Sequence, residues 1–241
     1  MDTAGRPTDA RRHTEWAHRL LRDAILTGAL APGTPVSQLA VAKELGTSRT
    51  PVREAVRLLQ HEGLVAGEVN QRLRVADLSA ADLDELCAIR ITLEVMGMRL
   101  AGAPISGSRA TELRSYLDDL EKAAMDADPD RGRDLHRQFH LTLSGGGDDR
   151  LTTLVAETWD HAERYRRLFS LQAFSIERFQ KAQIEHHEIV SRLEDGDLDA
   201  ACDVLALHLA TTALVVLADR EPAFSAPAIR QALLMVGATS V

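Results

Sequence analysis

Apolar residues at Trp16, Leu20, Leu21, Ala24 and Ile25 recur at helical spacing, and Gly28 stands where that helix would end. A turn at APGTP follows. Ser37 is placed to cap a second short helix carrying Leu39, Ala40, Ala42 and Leu45, closed by Gly46. Ser48 or Thr50 can cap a third, with Pro51 tolerated in its first turn and Val52, Val56 and Leu59 on one face. The other face presents Arg53 and Arg57 in successive turns. EGLVAGEVNQRLRVADLS then holds two strand candidates, near 63–67 and 72–76, joined by a polar turn at 68–71.

The texture changes near residue 77. SAAD at 79–82 resembles a capping box, and a long helix follows with Leu83, Leu86, Ile89, Leu93 and Met96 or Gly97 at heptad-like spacing. Further helices are expected at about 108–125, 131–143, 149–170, 176–195 and 198–218, between polar or glycine-rich breaks. The tail from Pro222 has two prolines and one short apolar patch, IRQALLMV at 229–236, and is expected to be partly ordered at best. The chain is thus mainly α. It reads as an N-terminal domain over 1–76, a helical domain over 77–220 and a tail over 221–241.

Composition narrows the possibilities. The 241 residues are enough for one or two domains with a real core. Two cysteines, Cys87 and Cys202, exclude a disulfide-dense scaffold and a four-cysteine zinc site. No apolar run approaches the ~18–20 residues of a membrane span, and no secretion signal opens the chain, so a reducing cytoplasm is expected. A net charge of −8 argues at first against nucleic acid. Divided near residue 77, it does not. Residues 1–76 hold 11 Lys+Arg against 8 Asp+Glu, a net of +3, and the remainder carries −11.

Two short helices joined by a tight turn form a helix-turn-helix pattern, whose second helix fits a DNA major groove. An arginine near its start can take guanine O6 and N7 together, while hydroxyls and the helix N-terminus suit phosphate. The hairpin would be a wing. The plainer alternative makes Arg49, Arg53 and Arg57 a solvated helix face.

In the acidic domain histidine is the informative residue. His136 and His140 are i,i+4 on one expected helix, so their rings share a face and can grip one metal ion. Single histidines on apolar faces are more often satisfied core residues. HRQFH lacks the glutamate that follows the first histidine in HExxH proteases. There is no phosphate-cradling glycine loop and no GxSxG elbow, which weakens the rival reading of a helical metallohydrolase.

The stretch LRDAILTGALAPGTPVSQLAVAKELGTSRTPVREAVRLLQHEGLV (21–65) resembles the winged-helix DNA-binding domain of GntR-family bacterial transcription regulators. By that resemblance Ser48, Arg49, Thr50 and Arg53 stand where the family contacts DNA. Arg72, in QRLRV, replaces a usual wing glycine and adds a phosphate contact in its place. The segments LCAIRITLEVMGMRLA (86–101), LHRQFHLTLS (135–144), IEHHEIVSRLEDGDLDAA (184–201) and LALHLA (205–210) resemble the FCD effector domain of the FadR-type subfamily. The resemblance implies a winged helix-turn-helix ahead of an FCD-like helical bundle. It also implies a divalent metal held by His140, His186 and His208, with His136 where Asp or Asn is usual. Four imidazoles favour zinc first, then nickel, iron or copper, over magnesium or calcium.

The same resemblance implies a small-molecule effector, commonly an organic acid, in the metal-containing pocket. Arg90 would face it, with Arg164, Tyr165 and Arg167 as weaker candidates beside a surface alternative. The expectation is a non-enzymatic, homodimeric regulator, more often a repressor, on a palindromic double-stranded DNA operator, with no membrane partner. A regulator for which the metal itself is the signal is the alternative. Cys87 and Cys202 read as buried small side chains.

Overall fold

The computed structural model describes residues 10–67, 72–147, 149–169 and 175–238, and shows ten helices and one two-stranded sheet among them. The chain divides into two compact units between Leu78 and Ser79.

The first unit holds α1 (Ala10–Leu26), α2 (Gln38–Glu44), α3 (Arg49–His61), β1 (Val65–Ala66) and β2 (Arg74–Val75). Ser37 caps α2 by accepting from the Ala40 amide at 3.2 Å. Leu21 and Ile25 of α1 and Val52, Val56 and Leu59 of α3 meet Leu64, Val65 and Val75 in one core. β1 and β2 pair antiparallel, Val65 opposite Val75 and Ala66 opposite Arg74. The APGTP segment does more than turn. Pro35 bridges to Arg74, the Val75 amide donates to the Thr34 carbonyl at 2.9 Å, and the Val36 amide donates to the Leu73 carbonyl at 2.8 Å. Proline suits such an edge because it has no N–H to leave unpaired. Gly33, at φ +76°, makes the entry to this edge. The turn at 68–71 lies outside the described residues.

The second unit holds α4 (Ala80–Ala101), α5 (Gly107–Met125), α6 (Pro129–Leu143), α7 (Arg150–Phe169), α8 (Ile176–Glu194), α9 (Leu198–Arg220) and α10 (Pro227–Val236). Side chains of Ser79, Asp128, Ser175 and Asp197 cap α4, α6, α8 and α9 through amides three residues on. α4 packs against α6, α7, α9 and α10, and α8 lies against α5 and α9. Gly97 lets α4 approach the end of α6, since a Cβ there would sit 2.7 Å from the Ser144 carbonyl.

Two expectations are corrected. The tail is not loose, because residues 227–236 form α10, with Ile229, Ala232 and Leu233 buried. Its start is capped from outside. Buried Asp84 of α4 accepts from the amides of Ala228 and Ile229, each at 2.9 Å. And α9 is long and apolar enough to cross a membrane by composition. Leu205, Ala206, Leu209 and Val216 of that helix are instead buried in this unit.

Candidate metal centre and nucleic-acid-binding face

The exposed side of α3 carries Arg49, Thr50, Arg53 and Arg57, while Val52, Val56 and Leu59 are buried. Ser48 sits exposed at the N-cap position and makes no capping bond. Arg53 and Arg57 both lean on Glu54, at 3.2 and 3.3 Å. Exposed pairs of this kind contribute little, so either guanidinium can be redirected to a phosphate or a base. Arg72 is exposed just ahead of β2.

In the second unit four histidines from three helices converge. One ring nitrogen from each of His136, His140, His186 and His208 lies within 4.8 Å of all the others. Helix geometry does the first half of this. His136 and His140 are one turn apart on α6, and their Nε2 atoms stand 3.0 Å apart. α8 and α9 do the second half, bringing Nε2 of His186 within 3.2 Å of Nε2 of His208.

The outward nitrogens are held by a second ring of groups. His140 Nδ1 meets Glu94 at 2.7 Å, and Arg90 grips the other oxygen of that carboxylate at 2.7 and 2.8 Å. His208 Nδ1 meets Glu185 at 2.7 Å. His186 Nδ1 meets the amide oxygen of Gln183 at 3.3 Å, and Gln183 in turn donates to the Leu117 carbonyl. An acceptor at Nδ1 fixes the proton there and turns the Nε2 lone pair inward, the arrangement metal-binding histidines use.

The donor set fits a cation on two counts. With their protons on Nδ1, His186 and His208 face each other lone pair to lone pair at 3.2 Å, a repulsion that a shared cation relieves. The rings of His136, His140 and His186 are also held neutral. Burial holds His140 down to about 4 against the upward pull of Glu94. Burial, then the neighbouring imidazoles and Arg166, hold His136 and His186 well below the ordinary range. Burial pushes Glu94 up, but Arg90 and His140 outweigh it and keep the carboxyl at about 2.

A cavity of about 1060 Å³ opens beside this centre. His136, His186 and His208 line it, together with Arg133, Arg166 and Arg178. The arginine expected there does not. Arg90 is buried behind Glu94, with its charge spent on the carboxylate that orients His140. Tyr165 is also buried, with its hydroxyl on Asp82 and the Ser79 amide. Arg164 is buried and Arg167 lies 3.7 Å from Asp130; neither lines the cavity. The residue of that run which does is Arg166, 3.4 Å from Nδ1 of His136. A signal for it existed. Arg166 is seven residues after Trp159, hence on one helix stripe, and Trp159 packs edge-on against His136. Glu94, Gln183 and Glu185 were missed too; of these only Glu94 had a signal, its place one turn after Arg90.

Comparison with known proteins follows the same division. The family described as "Bacterial regulatory proteins, gntR family" matches residues 14–75, and the FCD domain matches residues 85–211. The chain is 28% identical to the HTH-type transcriptional regulator YdhC of Bacillus subtilis (strain 168), over 78% of this chain and 84% of that protein. It is 28% identical to the HTH-type transcriptional repressor RspR of Escherichia coli (strain K12), over 80% and 83%. The crystal structure of a GntR transcriptional regulator from Rhodococcus sp. RHA1 superposes with a TM-score of 0.70 at 26% identity, covering 88% of this chain and 99% of that one.

Proposed function

This chain belongs to the gntR family of bacterial regulatory proteins, with an FCD domain behind its DNA-binding head, and we propose that it is a cytoplasmic repressor released or recruited by a small carboxylate-type metabolite bound beside a metal ion. That it is a DNA-binding transcriptional regulator follows from the family and its relatives. The observation that carries the finer reading is the continuity of the histidine centre with an arginine-lined cavity.

His140, His186 and His208 would hold the ion, with His136 as a fourth nitrogen donor. Zinc suits this set best, with nickel, iron or copper next. Bound there, the metal supplies a Lewis-acidic anchor for a carboxylate. The chain's own residues do the rest. Glu94, Gln183 and Glu185 aim the imidazoles, and Arg133, Arg166 and Arg178 give the cavity an anion-selective wall.

Ser48, Arg49, Thr50, Arg53 and Arg72 would meet the operator, the hydroxyls on phosphate and the arginines on bases or phosphate. A homodimer on a palindromic site fits the exposed side of α4. Leu86, Ile89, Leu93, Met96 and Leu100 alternate at spacings of three and four, and Ile89, Met96 and Leu100 are exposed. Such a seam suits a second helix, and a two-fold axis near Leu93 would make it self-complementary. Effector binding can change DNA affinity only by its differential affinity for two arrangements of that dimer.

A crystal structure with anomalous data at the metal edge tests the reading, because ion and co-purified anion would be seen together. His140→Ala should lose the metal and keep DNA binding; full metal stoichiometry in that variant would sink the ligand assignment. The four-nitrogen donor set supports a second reading, in which metal alone is the signal. Metal titration of operator binding with and without citrate separates the two.

A further inference from the structure

The cavity is larger than a small acid requires, and its walls are of two kinds. Clefts for drug-sized ligands run from roughly 300 to 1,000 Å³, so about 1060 Å³ stands at the top of that range. Near the histidines the wall is cationic, with Arg133, Arg166 and Arg178. Two carboxylates share the wall, Asp128, which caps α6, and Glu121, 3.7 Å from His187 of the same wall; Arg133 and Arg166 are steadied from outside the cavity by Asp130 and Glu163. The remaining wall is apolar. Met125 and Ile176 are 77% exposed and Ile184 is 68% exposed, and all three line this one cavity, with Phe179 between them on α8. Three large apolar side chains left in water around a single cleft mark a surface that a ligand covers.

We propose that the effector is an amphipathic carboxylate, an acyl-type acid of medium length. Its head lies at the arginine and histidine end, and its apolar body lies across Met125, Ile176 and Phe179. This rests on the reading of the cavity as the effector site and names the class of ligand that site takes. The charge at one end and the apolar length at the other are both needed. A compact polyacid would use the first and leave the second wet.

The test is isothermal titration calorimetry of the full chain with zinc present. The probes are hexanoate, octanoate, decanoate and dodecanoate below their micellar concentrations, with citrate as the compact comparison. Affinity should tighten about fourfold for each methylene buried, with an increasingly negative heat-capacity change. Met125→Gln and Ile176→Gln change side chains that are largely in water and add no charge, so the fold should tolerate them. Unchanged thermal unfolding would show that it does. Each should flatten the chain-length dependence severalfold more than it shifts citrate affinity. Citrate binding with no chain-length dependence would overturn this inference and leave the effector reading standing. A chain-length dependence that survives when Met125→Gln and Ile176→Gln are combined would place the acids elsewhere, and also overturns it. Binding of neither citrate nor any acid would bring down the effector reading itself.

Discussion

Arg90→Met strikes the charge that sustains the whole centre. Glu94 is fully buried, and its carboxylate is held by two contacts from Arg90, at 2.7 and 2.8 Å, and one from His140 at 2.7 Å. Burial pushes the carboxyl up; Arg90 and His140 bring it from an ordinary 4.5 to about 2. Each unit is worth 1.36 kcal/mol, so the fold stabilises this carboxylate relative to a free glutamate by about 3 kcal/mol at neutral pH. Without Arg90 the burial cost is opposed by one imidazole that is itself reluctant to charge. Breaking a buried pair from one side costs about 3–5 kcal/mol, a large share of a domain stability of roughly 5–15 kcal/mol. Urea unfolding of chelator-treated protein at pH 7, followed by circular dichroism, measures it. The double variant Arg90→Met/Glu94→Leu removes both charges and should recover most of the loss. A single variant costing under about 1 kcal/mol, or a double variant costing as much as the single, would refute the account.

The same groups fix the acid response of the metal-free protein. His140 at about 4 is depressed from 6.5, so its contribution is present above about pH 6.5 and is lost as pH falls toward 4. Glu94 at about 2 adds a second loss below about pH 4.5. Urea midpoints at pH 7, 5 and 3.5 should therefore descend in order, and a flat profile contradicts this. Arg49→Ala should cost about 1–3 kcal/mol of operator binding and relax specificity at one base pair; equal weakening on all sequences, read by fluorescence anisotropy, would make Arg49 a phosphate clamp. Gly97→Ala should cost about 1–3 kcal/mol by thermal unfolding, since its Cβ meets the Ser144 backbone at 2.7 Å.

What was legible in the sequence was local. Ser37, Ser79 and Gly46 announce helix ends because caps act over three or four residues, and His136 and His140 share a face because helices have a fixed period. The gathering of His186 and His208 with them came from resemblance, since no spacing rule joins α6, α8 and α9. Contacts across long separations were silent. α10 is capped by Asp84, about 144 positions away, so its own residues look like a frayed tail. The pairing of Pro35 with Arg74 reads as a turn for the same reason. Arg90 was expected at the cavity because the resemblance to the FCD effector domain puts an arginine there. Its partner Glu94 was one turn away, and an i,i+4 pair of opposite charge is the economical alternative.

His136 stands apart from its three neighbours in how its proton is held. Glu94, Gln183 and Glu185 can each accept from Nδ1, which leaves Nε2 of His140, His186 and His208 free to donate electrons inward. Opposite Nδ1 of His136 stands Arg166, which can only donate. That contact asks the ring to carry its proton on Nε2, where it points at Nε2 of His140, 3.0 Å away. In this arrangement three imidazoles are set to ligate, and His136 becomes the fourth donor of the proposed site only when its proton moves from Nε2 to Nδ1. Arg166 also lines the cavity, where an anion competes for the same guanidinium. An anion that draws Arg166 away removes the only donor described at Nδ1 of His136. The proton can then move outward and the fourth lone pair turn inward. Replacing an oxygen donor by His136 therefore does more than change the ligand chemistry. It would couple the number of nitrogen donors to whether an anion can draw Arg166 from His136 while Glu163, 3.1 Å away, holds the other side of that guanidinium, a coupling that a carboxylate, with no tautomer to choose, would lack.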